Sequence, residues 1–549
     1  MSTVAEQLAQ KQRDISVAEF FERNRHLLGF DNKRKALLTV VKEAVDNSID
    51  ACEEAKILPD ISVEIIDMGN DRFKTIVEDN GPGIVKKNIP NVFAKLLYGS
   101  KFHRMLQQRG QQGIGISAAV LYAQLTTGRP ARITSKTGKD EPAHYYELHI
   151  DTQKNVPQII KDDVVEWSGK VSGVKIELDF EAIYQKGDQS VDAYLRETAI
   201  TNPHATITYT TPRAEQFIFQ RATSTLPPEA REIKPHPYGV EHGIMQKLLR
   251  NTQSRTMQQF LTTEFSRVSP FVAKEILVKS SIPNNSKPSD ITHPQVEKMM
   301  SAIRDTKIMA PPTDCIVPIG AELLEKGLRK EVNAEFYTSI TRAPEVYRGI
   351  PFVVECAVAF GGEQPKDESS RLLRYANRVP LLYQQGSCAS FKAVAQTNWK
   401  QYGIPQTKGS LPQAPLTIVV HLASVWPPFT SEAKEAIAHY PEIIKEMKLA
   451  IQEVARRLAQ YVRKKERVGA EGKKRSYIET YLPHVANALK NLLGISQKEE
   501  SVVSSKLKEI LEKKRGVLEK FDVDNPEYDE ELASVGKDEI GADGEGNED

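Results

Sequence analysis

Residues 79–83 read Asp79-Asn80-Gly81-Pro82-Gly83, and the segments around this loop decide what fold it belongs to. Phe73 to Val77, just before it, has the composition of a strand, so Asp79 closes an apolar run. A carboxyl group partly buried there needs a hydrogen-bond donor. A backbone turn supplies one, and an adenine amino group supplies another; the loop alone does not choose. Ile61, Val63 and Ile65 alternate as an earlier strand, with a turn at Gly69-Asn70-Asp71 between the two.

Upstream, residues 33–57 form a predicted amphipathic helix. Leu37, Val41, Val45 and Ile49 recur every four residues, and Pro59 lies beyond its end. Glu43 and Asn47 stand at i and i+4 on the opposite, polar face, flanked by Asp46 and Asp50. A carboxylate beside a carboxamide can orient a water and ligate a hard cation; solvated helix surface yields the same pair. Downstream, Gly110-Gln111-Gln112-Gly113-Ile114-Gly115 precedes a predicted helix, Ile116 to Leu125. Glycines let backbone amides approach phosphate oxygens, and a helix N-terminus favours anions. Gly113-Ile114-Gly115-Ile116-Ser117-Ala118 also fits the dinucleotide pattern GxGxxA, but the preceding Met105 to Arg109 is too polar for the strand that pattern requires. The P-loop pattern GxxxxGK[ST] occurs nowhere.

The chain has 549 residues, which predicts three or four domains. Its net charge of +1 conceals an asymmetry. Residues 521–549 hold twelve acidic side chains and one basic one, while the other 520 residues carry 73 basic against 61 acidic. That is a mildly basic body with an acidic tail. Hydrophobic residues make up 40%, enough for several cores. The longest apolar candidate, Ala414 to Trp426, is short and contains His421, so no transmembrane helix is expected. Met1 to Arg13 lacks an apolar h-region, so no signal peptide is expected either. Cys52, Cys315, Cys356 and Cys388 form no CxxC pair, which argues against a disulfide framework and a cysteine zinc site.

Taken together, the ExxxN helix, the DxGxG loop and the GxxGxG segment resemble, in order and spacing, the GHKL superfamily of ATPases. Longer strings resemble one branch, the B subunits of type IIB DNA topoisomerases (topoisomerase VI). They are Leu97-Tyr98-Gly99-Ser100-Lys101, Lys234-Pro235-His236-Pro237-Tyr238-Gly239, Ser339-Ile340-Thr341-Arg342, Val358-Ala359-Phe360-Gly361-Gly362 and Arg374-Tyr375-Ala376-Asn377. The resemblance covers roughly residues 15–465. It implies an α+β protein: an N-terminal arm (1–32), a GHKL (Bergerat) ATPase α/β sandwich (33–225), a small helix-two-turns-helix domain (226–305), an α/β transducer (306–468), a helical segment (469–520) and an acidic tail (521–549).

The resemblance also implies roles. Glu43 would be the general base and Asn47 a Mg²⁺ ligand. Asp79 would accept the adenine amino group. Gly81, Gly83, Gly110, Gly113, Ile114, Gly115, Ile116 and Ser117 would shape pocket and lid, with Ser100 and Lys101 near the phosphates. Ser172 is the nearest match to the family's adenine-pocket threonine. Lys434 matches the switch lysine that reaches the γ-phosphate; by itself it reads as a surface charge on an exposed helix. The cofactors would be ATP and Mg²⁺, and ATP would close two B chains into a dimer around double-stranded DNA. None of the 18 tyrosines has an activating context, and Asp522-Val523-Asp524 sits in the acidic tail. DNA cleavage would therefore belong to the topoisomerase VI A subunit, in an A2B2 heterotetramer, with a cytoplasmic, nucleoid-associated location and no membrane. Arg463-Lys464-Lys465 and Lys473-Lys474-Arg475 could meet DNA phosphates or simply end a solvated helix. The competing reading is another GHKL clamp, MutL-like or chaperone-like. Tyr440 to Arg467 reads as one long amphipathic helix ending before Gly469.

Overall fold

Ile61, Val63 and Ile65 are fully buried, whereas Ser62 between them is exposed, so the alternation read from sequence marks one covered sheet face. A computed structural model of the chain describes residues 14–101, 104–110, 113–366, 368–431, 433–494 and 496–515. The first 13 residues of the expected arm, the acidic tail and Asp522-Val523-Asp524 lie outside the described residues.

The first unit contains helices α1 (Val17–Arg23) and α2 (Lys33–Glu54), strands β1 (Asp60–Asp67) and β2 (Arg72–Glu78), and helices α3 (Ile89–Ala94) and α4 (Gly115–Thr127). Strands β3 (Ala131–Lys136), β4 (Ala143–Asp151), β5 (Val156–Val165) and β6 (Gly173–Glu181) follow, then helix α5 (Val191–Thr201) and strands β7 (Thr206–Thr210) and β8 (Gln216–Phe219). The sheet order is β5-β4-β3-β6-β2-β1-β7-β8, antiparallel except for β1 and β7. Helices α2, α4 and α5 cover it. Leu37, Val41, Val45 and Ile49 of α2 are all at most 2% exposed and belong to the shared core. The result is the expected two-layer α/β sandwich. Helix α1, expected to be part of a free arm, packs on this unit through the buried Ala18.

The second unit is four helices with its own core: α6 (His242–Asn251), α7 (Met257–Glu264), α8 (Pro270–Lys279) and α9 (His293–Arg304). Pro270 stands in the first turn of α8, where its missing N–H is harmless, and Ser269 caps the helix. The third unit comprises helix α10 (Ala321–Glu331), strands β9 (Phe336–Thr341), β10 (Glu345–Tyr347), β11 (Ile350–Phe360), β12 (Arg371–Ala376) and β13 (Val379–Pro380), helix α11 (Ala389–Gln396), strand β14 (Leu416–Ser424), and helices α12 (Pro441–Leu493) and α13 (Gln497–Arg515). Its sheet runs β10-β11-β14-β12-β13, with β9 on β11. Every residue of β14 is buried, which accounts for the apolar run read there. His421 is tolerated in it because Glu355 lies 2.8 Å from its Nδ1 and the Arg378 amide donates to its Nε2.

The long helix does not stop before Gly469. Helix α12 continues to Leu493 and contains Pro483. One glycine costs a helix only about 1 kcal/mol, which good helix formers on both sides offset. The far end regains burial at Leu482 and Ala486, and Lys490 pairs with Glu500 of α13. Among the described residues no helix is long and apolar enough to cross a membrane.

The first and third units touch backbone to backbone. A Cβ on Gly327 of α10 would lie 2.2 Å from the Ile200 carbonyl of α5. Beside this contact Glu197 accepts a hydrogen bond from Arg371 at 3.1 Å. Burial raises the Glu197 carboxyl to about 7, only partly opposed by Arg371. A carboxyl raised on folding takes up a proton on folding, so it favours the folded state below about pH 4.5 and progressively less up to about pH 7. Glu197→Gln is therefore expected to flatten the decline, gaining on the wild type by on the order of 1–3 kcal/mol as pH rises through that window. Urea unfolding at the two ends of the window measures it.

Candidate active site

A cavity of roughly 1020 Å³ opens where α2, the end of β2, residues 97–101, the start of α4 and the loop after β14 meet. Glu43, Asn47, Asp79, Gly83, Ser100 and Lys101 line it, as do Gly110, Gly113 to Ile116, and Lys434. Gly81, Ser117 and Ser172 do not. Ser117 is buried with its hydroxyl on the Ile114 carbonyl, so it stiffens the first turn of α4.

At one end Asp79 is 5% exposed and heavily engaged. Its Oδ1 accepts from the Gly81 amide at 2.9 Å and the Val174 amide at 3.1 Å, and its Oδ2 accepts from the Ser48 hydroxyl at 2.8 Å. Burial raises its pKa despite these donors. Gly81 thus acts on the carboxylate from behind and forms no wall. Strand β6 begins at Gly173, one residue after Ser172, and its backbone passes so close to Asp79 that a Cβ would lie 2.2 Å from the Asp79 carbonyl. Val174 and Ile176 of β6 line the cavity, and Ser172, which precedes the strand, does not.

At the other end Glu43 lies against the backbone of Gly115. A Cβ there would stand 1.7 Å from Glu43 Oε2. Gly115→Ala is accordingly expected to displace the carboxylate; with Glu43 as the general base that the resemblance implies, ATP turnover would fall by about 100-fold, because an ångström of misplacement of a reacting group has that effect. Nucleotide titration alongside steady-state turnover separates this from lost binding. Asn47 Nδ2 donates to the Glu43 carbonyl at 2.8 Å, leaving its Oδ1 as the atom nearest Gly110.

Lys434 does not sit on a helix. It occupies a turn in the left-handed region, φ 53°, which a lysine adopts only when held there. Its Nζ donates to the Arg109 carbonyl at 3.1 Å. Burial lowers its pKa, with Glu43, Asp46 and Asp50 opposing. The next residue, Glu435, ion-pairs with Lys35 of α2, which pins the turn to the first unit.

Lys101 lines the cavity, but its ammonium is committed to Asp50 at 2.8 Å. Burial lowers its pKa, and Asp50 and Glu54 more than reverse that. Asp46 and Asp50, which flank the polar face of α2, are buried beneath α5 and the segment before Gly110. Tyr194 donates to Asp46 at 2.7 Å, and burial raises the Asp46 carboxyl to about 6. Arg109 is 4% exposed and bonds Asp50 at 2.7 Å, both Glu53 oxygens at 2.8 and 2.9 Å, and Asn202 at 2.5 Å.

Residues 32–151 match the family described as "Histidine kinase-, DNA gyrase B-, and HSP90-like ATPase", and residues 311–474 match "Topoisomerase VI B subunit, transducer". The B subunit of type 2 DNA topoisomerase 6 from Methanococcoides burtonii is 51% identical over 491 residues, spanning 89% of this chain and 79% of that one. The chain belongs to the family of type 2 DNA topoisomerase 6 B subunits. The Archaeoglobus fulgidus member is 49% identical over 487 residues, covering 88% and 80% of the two chains. The Thermococcus kodakarensis member is 39% identical over 536 residues, covering 89% and 93%. The chain is thus the ATP-binding component of an ATP-dependent type IIB topoisomerase, and nothing supports a MutL-like or chaperone-like clamp in its place.

Three contributors in this topoisomerase chain were not visible in the sequence. Ser48 reaches Asp79 across 31 residues. Arg109 sits one residue before the glycine-rich segment and looks like ordinary loop charge. Gln107 brackets the Val317 backbone, donating to its carbonyl at 3.2 Å and accepting from its amide at 2.8 Å, while Asn377 donates to the Gln108 carbonyl at 3.0 Å. Residues 107–109 are therefore stitched to the third unit, and only the Arg374-to-Asn377 string hinted at it.

Proposed function

We propose that ATP binds this cavity with its adenine on Asp79 and its phosphates toward Glu43, Asn47 and Lys434, and that hydrolysis drives DNA strand passage. The observation that supports this most is the convergence on one cavity of Glu43 and Asp79 from the first unit and Lys434 from the third. Asp79 Oδ2 holds one hydroxyl donor only and has room to accept the adenine amino group. Glu43 takes a proton from the water that attacks the γ-phosphorus. Asn47 Oδ1 beside a carboxylate is a hard-oxygen pair suited to Mg²⁺, which would neutralise charge developing on the phosphates.

Lys434 donates to a backbone carbonyl in this state. A γ-phosphate is a stronger acceptor, so its arrival draws Lys434 off Arg109, and its loss returns it. Because residues 107–109 bond the third unit, that exchange biases how the two units sit together. In this reading ATP joins two B chains around a DNA segment, two A chains supply the cleaving tyrosines and complete an A2B2 assembly, and the complex works on cytoplasmic DNA. Residues 33–225, 226–305 and 306–468 are the working units, with the last boundary lying inside α12.

Asp79→Asn tests the nucleotide assignment. It exchanges a charged acceptor for an amide facing two N–H donors, so nucleotide affinity is expected to fall about 10- to 100-fold. Calorimetric titration with a non-hydrolysable ATP analogue reads this directly. Unchanged affinity would remove adenine from that end.

A further inference from the structure

His242 and His293 open the first and last helices of the helical unit, α6 and α9. Their imidazole rings lie with centroids 4.4 Å apart. Glu297, one turn beyond His293, places a carboxylate oxygen 3.6 Å from His293 Nδ1. One donor atom from each of the three falls within 4.8 Å of the other two. His242 Nε2 is buried and has no hydrogen-bond partner among the described residues. A buried ring nitrogen normally has one.

We propose that His242, His293 and Glu297 bind one divalent transition-metal ion, Zn²⁺ by its donor set. Two imidazoles and one carboxylate, with water in the fourth position, suit Zn²⁺. Mg²⁺ and Ca²⁺ prefer oxygen donors. The pattern is also sterically natural. His293 and Glu297 are i and i+4 on one helix face, and His242 enters from a second helix. Donors around Zn²⁺ stand about 3.5 Å apart, so the three must close by roughly an ångström. The side chains of His293 and Glu297 are each 63% exposed and free to swing, while His242 is the half-buried anchor. The positive ends of two helices disfavour a cation, so the Glu297 charge is a required part of the site. A metal here ties the start of the unit to its end. It is separate from the ATP cavity, which none of the three residues lines.

The test uses the full chain, stripped with EDTA and titrated with Co²⁺ and then Zn²⁺. Wild type is expected to take up one equivalent of Co²⁺ with the absorption of a four-coordinate site, and to exchange it for Zn²⁺. His242→Ala and His293→Ala are each expected to weaken uptake by at least about 100-fold, since even the residues that support ligands are worth 10- to 100-fold. Glu297→Gln is expected to weaken it as well, with ATP turnover unchanged in all three. If His242→Ala fails to fold, His293→Ala, altered at an exposed position, carries the test. Failure of the wild-type chain to take up Co²⁺, or uptake unaltered in the histidine variants, overturns the proposal.

Discussion

Glu43→Gln is expected to hydrolyse ATP about 100- to 10 000-fold more slowly than wild type while binding it within a few-fold of normal affinity. The substitution keeps the shape that packs on Gly115, where no side chain fits. It keeps the helix register that sets Asn47, whose amide bonds the Glu43 backbone and not its side chain. What it removes is the ability to accept a proton. A general base acts in the transition state, so turnover falls and ground-state binding does not. Single-turnover hydrolysis alongside nucleotide titration separates the two. Equal loss of binding and turnover would mean that Glu43 holds nucleotide and does not activate water.

Arg109→Ala is expected to destabilise the chain by about 3–5 kcal/mol. The guanidinium is nearly inaccessible and is the shared partner of Asp50 and Glu53. Its neighbours hold both carboxyls in the charged form. Burial opposes ionisation of Asp50, but Lys101 and Arg109 outweigh it; burial opposes ionisation of Glu53, but Arg109 and His204 outweigh that too. Deleting this cation leaves Asp50 with Lys101 alone and Glu53 with His204 alone, which is far worse than losing a surface pair. Urea unfolding measures the loss. A lysine at 109 cannot fork to both carboxylates and Asn202, so it is expected to restore only part of it. The backbone carbonyl that receives Lys434 is retained in the variant, so the loss read by unfolding belongs to the side-chain ion pairs.

What could be read in the sequence, and what could not, divides by the range of the contacts. Glu43 and Asn47 are four residues apart on one helix, and Asp79 with Gly83 forms one loop, so short strings disclosed them. The strand alternation at Ile61 to Ile65 and the stripe from Leu37 to Ile49 depend only on local periodicity. The burial of Asp46 and Asp50 could not be read because helix periodicity does not show that α5 and residues 107–109 cover the second face of α2. That Ser172 does not line the cavity could not be read, because β6 starts only where Gly173 passes close to Asp79 at the end of the neighbouring strand β2, a contact between residues far apart in sequence. Gly469 misled because a helix stop signal is weak when helix formers continue beyond it. Lys434 is the extreme case. Its chemistry depends on a turn 325 residues distant from the Arg109 carbonyl it meets, and resemblance alone pointed to it.

The most direct measurement is ATP turnover by the full chain assembled with its DNA-cleaving A chain, with and without supercoiled DNA, with Glu43→Gln as the control. Turnover that rises with DNA and disappears in Glu43→Gln is the expected result. Turnover indifferent to DNA, or surviving in Glu43→Gln, would contradict an ATP-driven DNA clamp powered from this cavity.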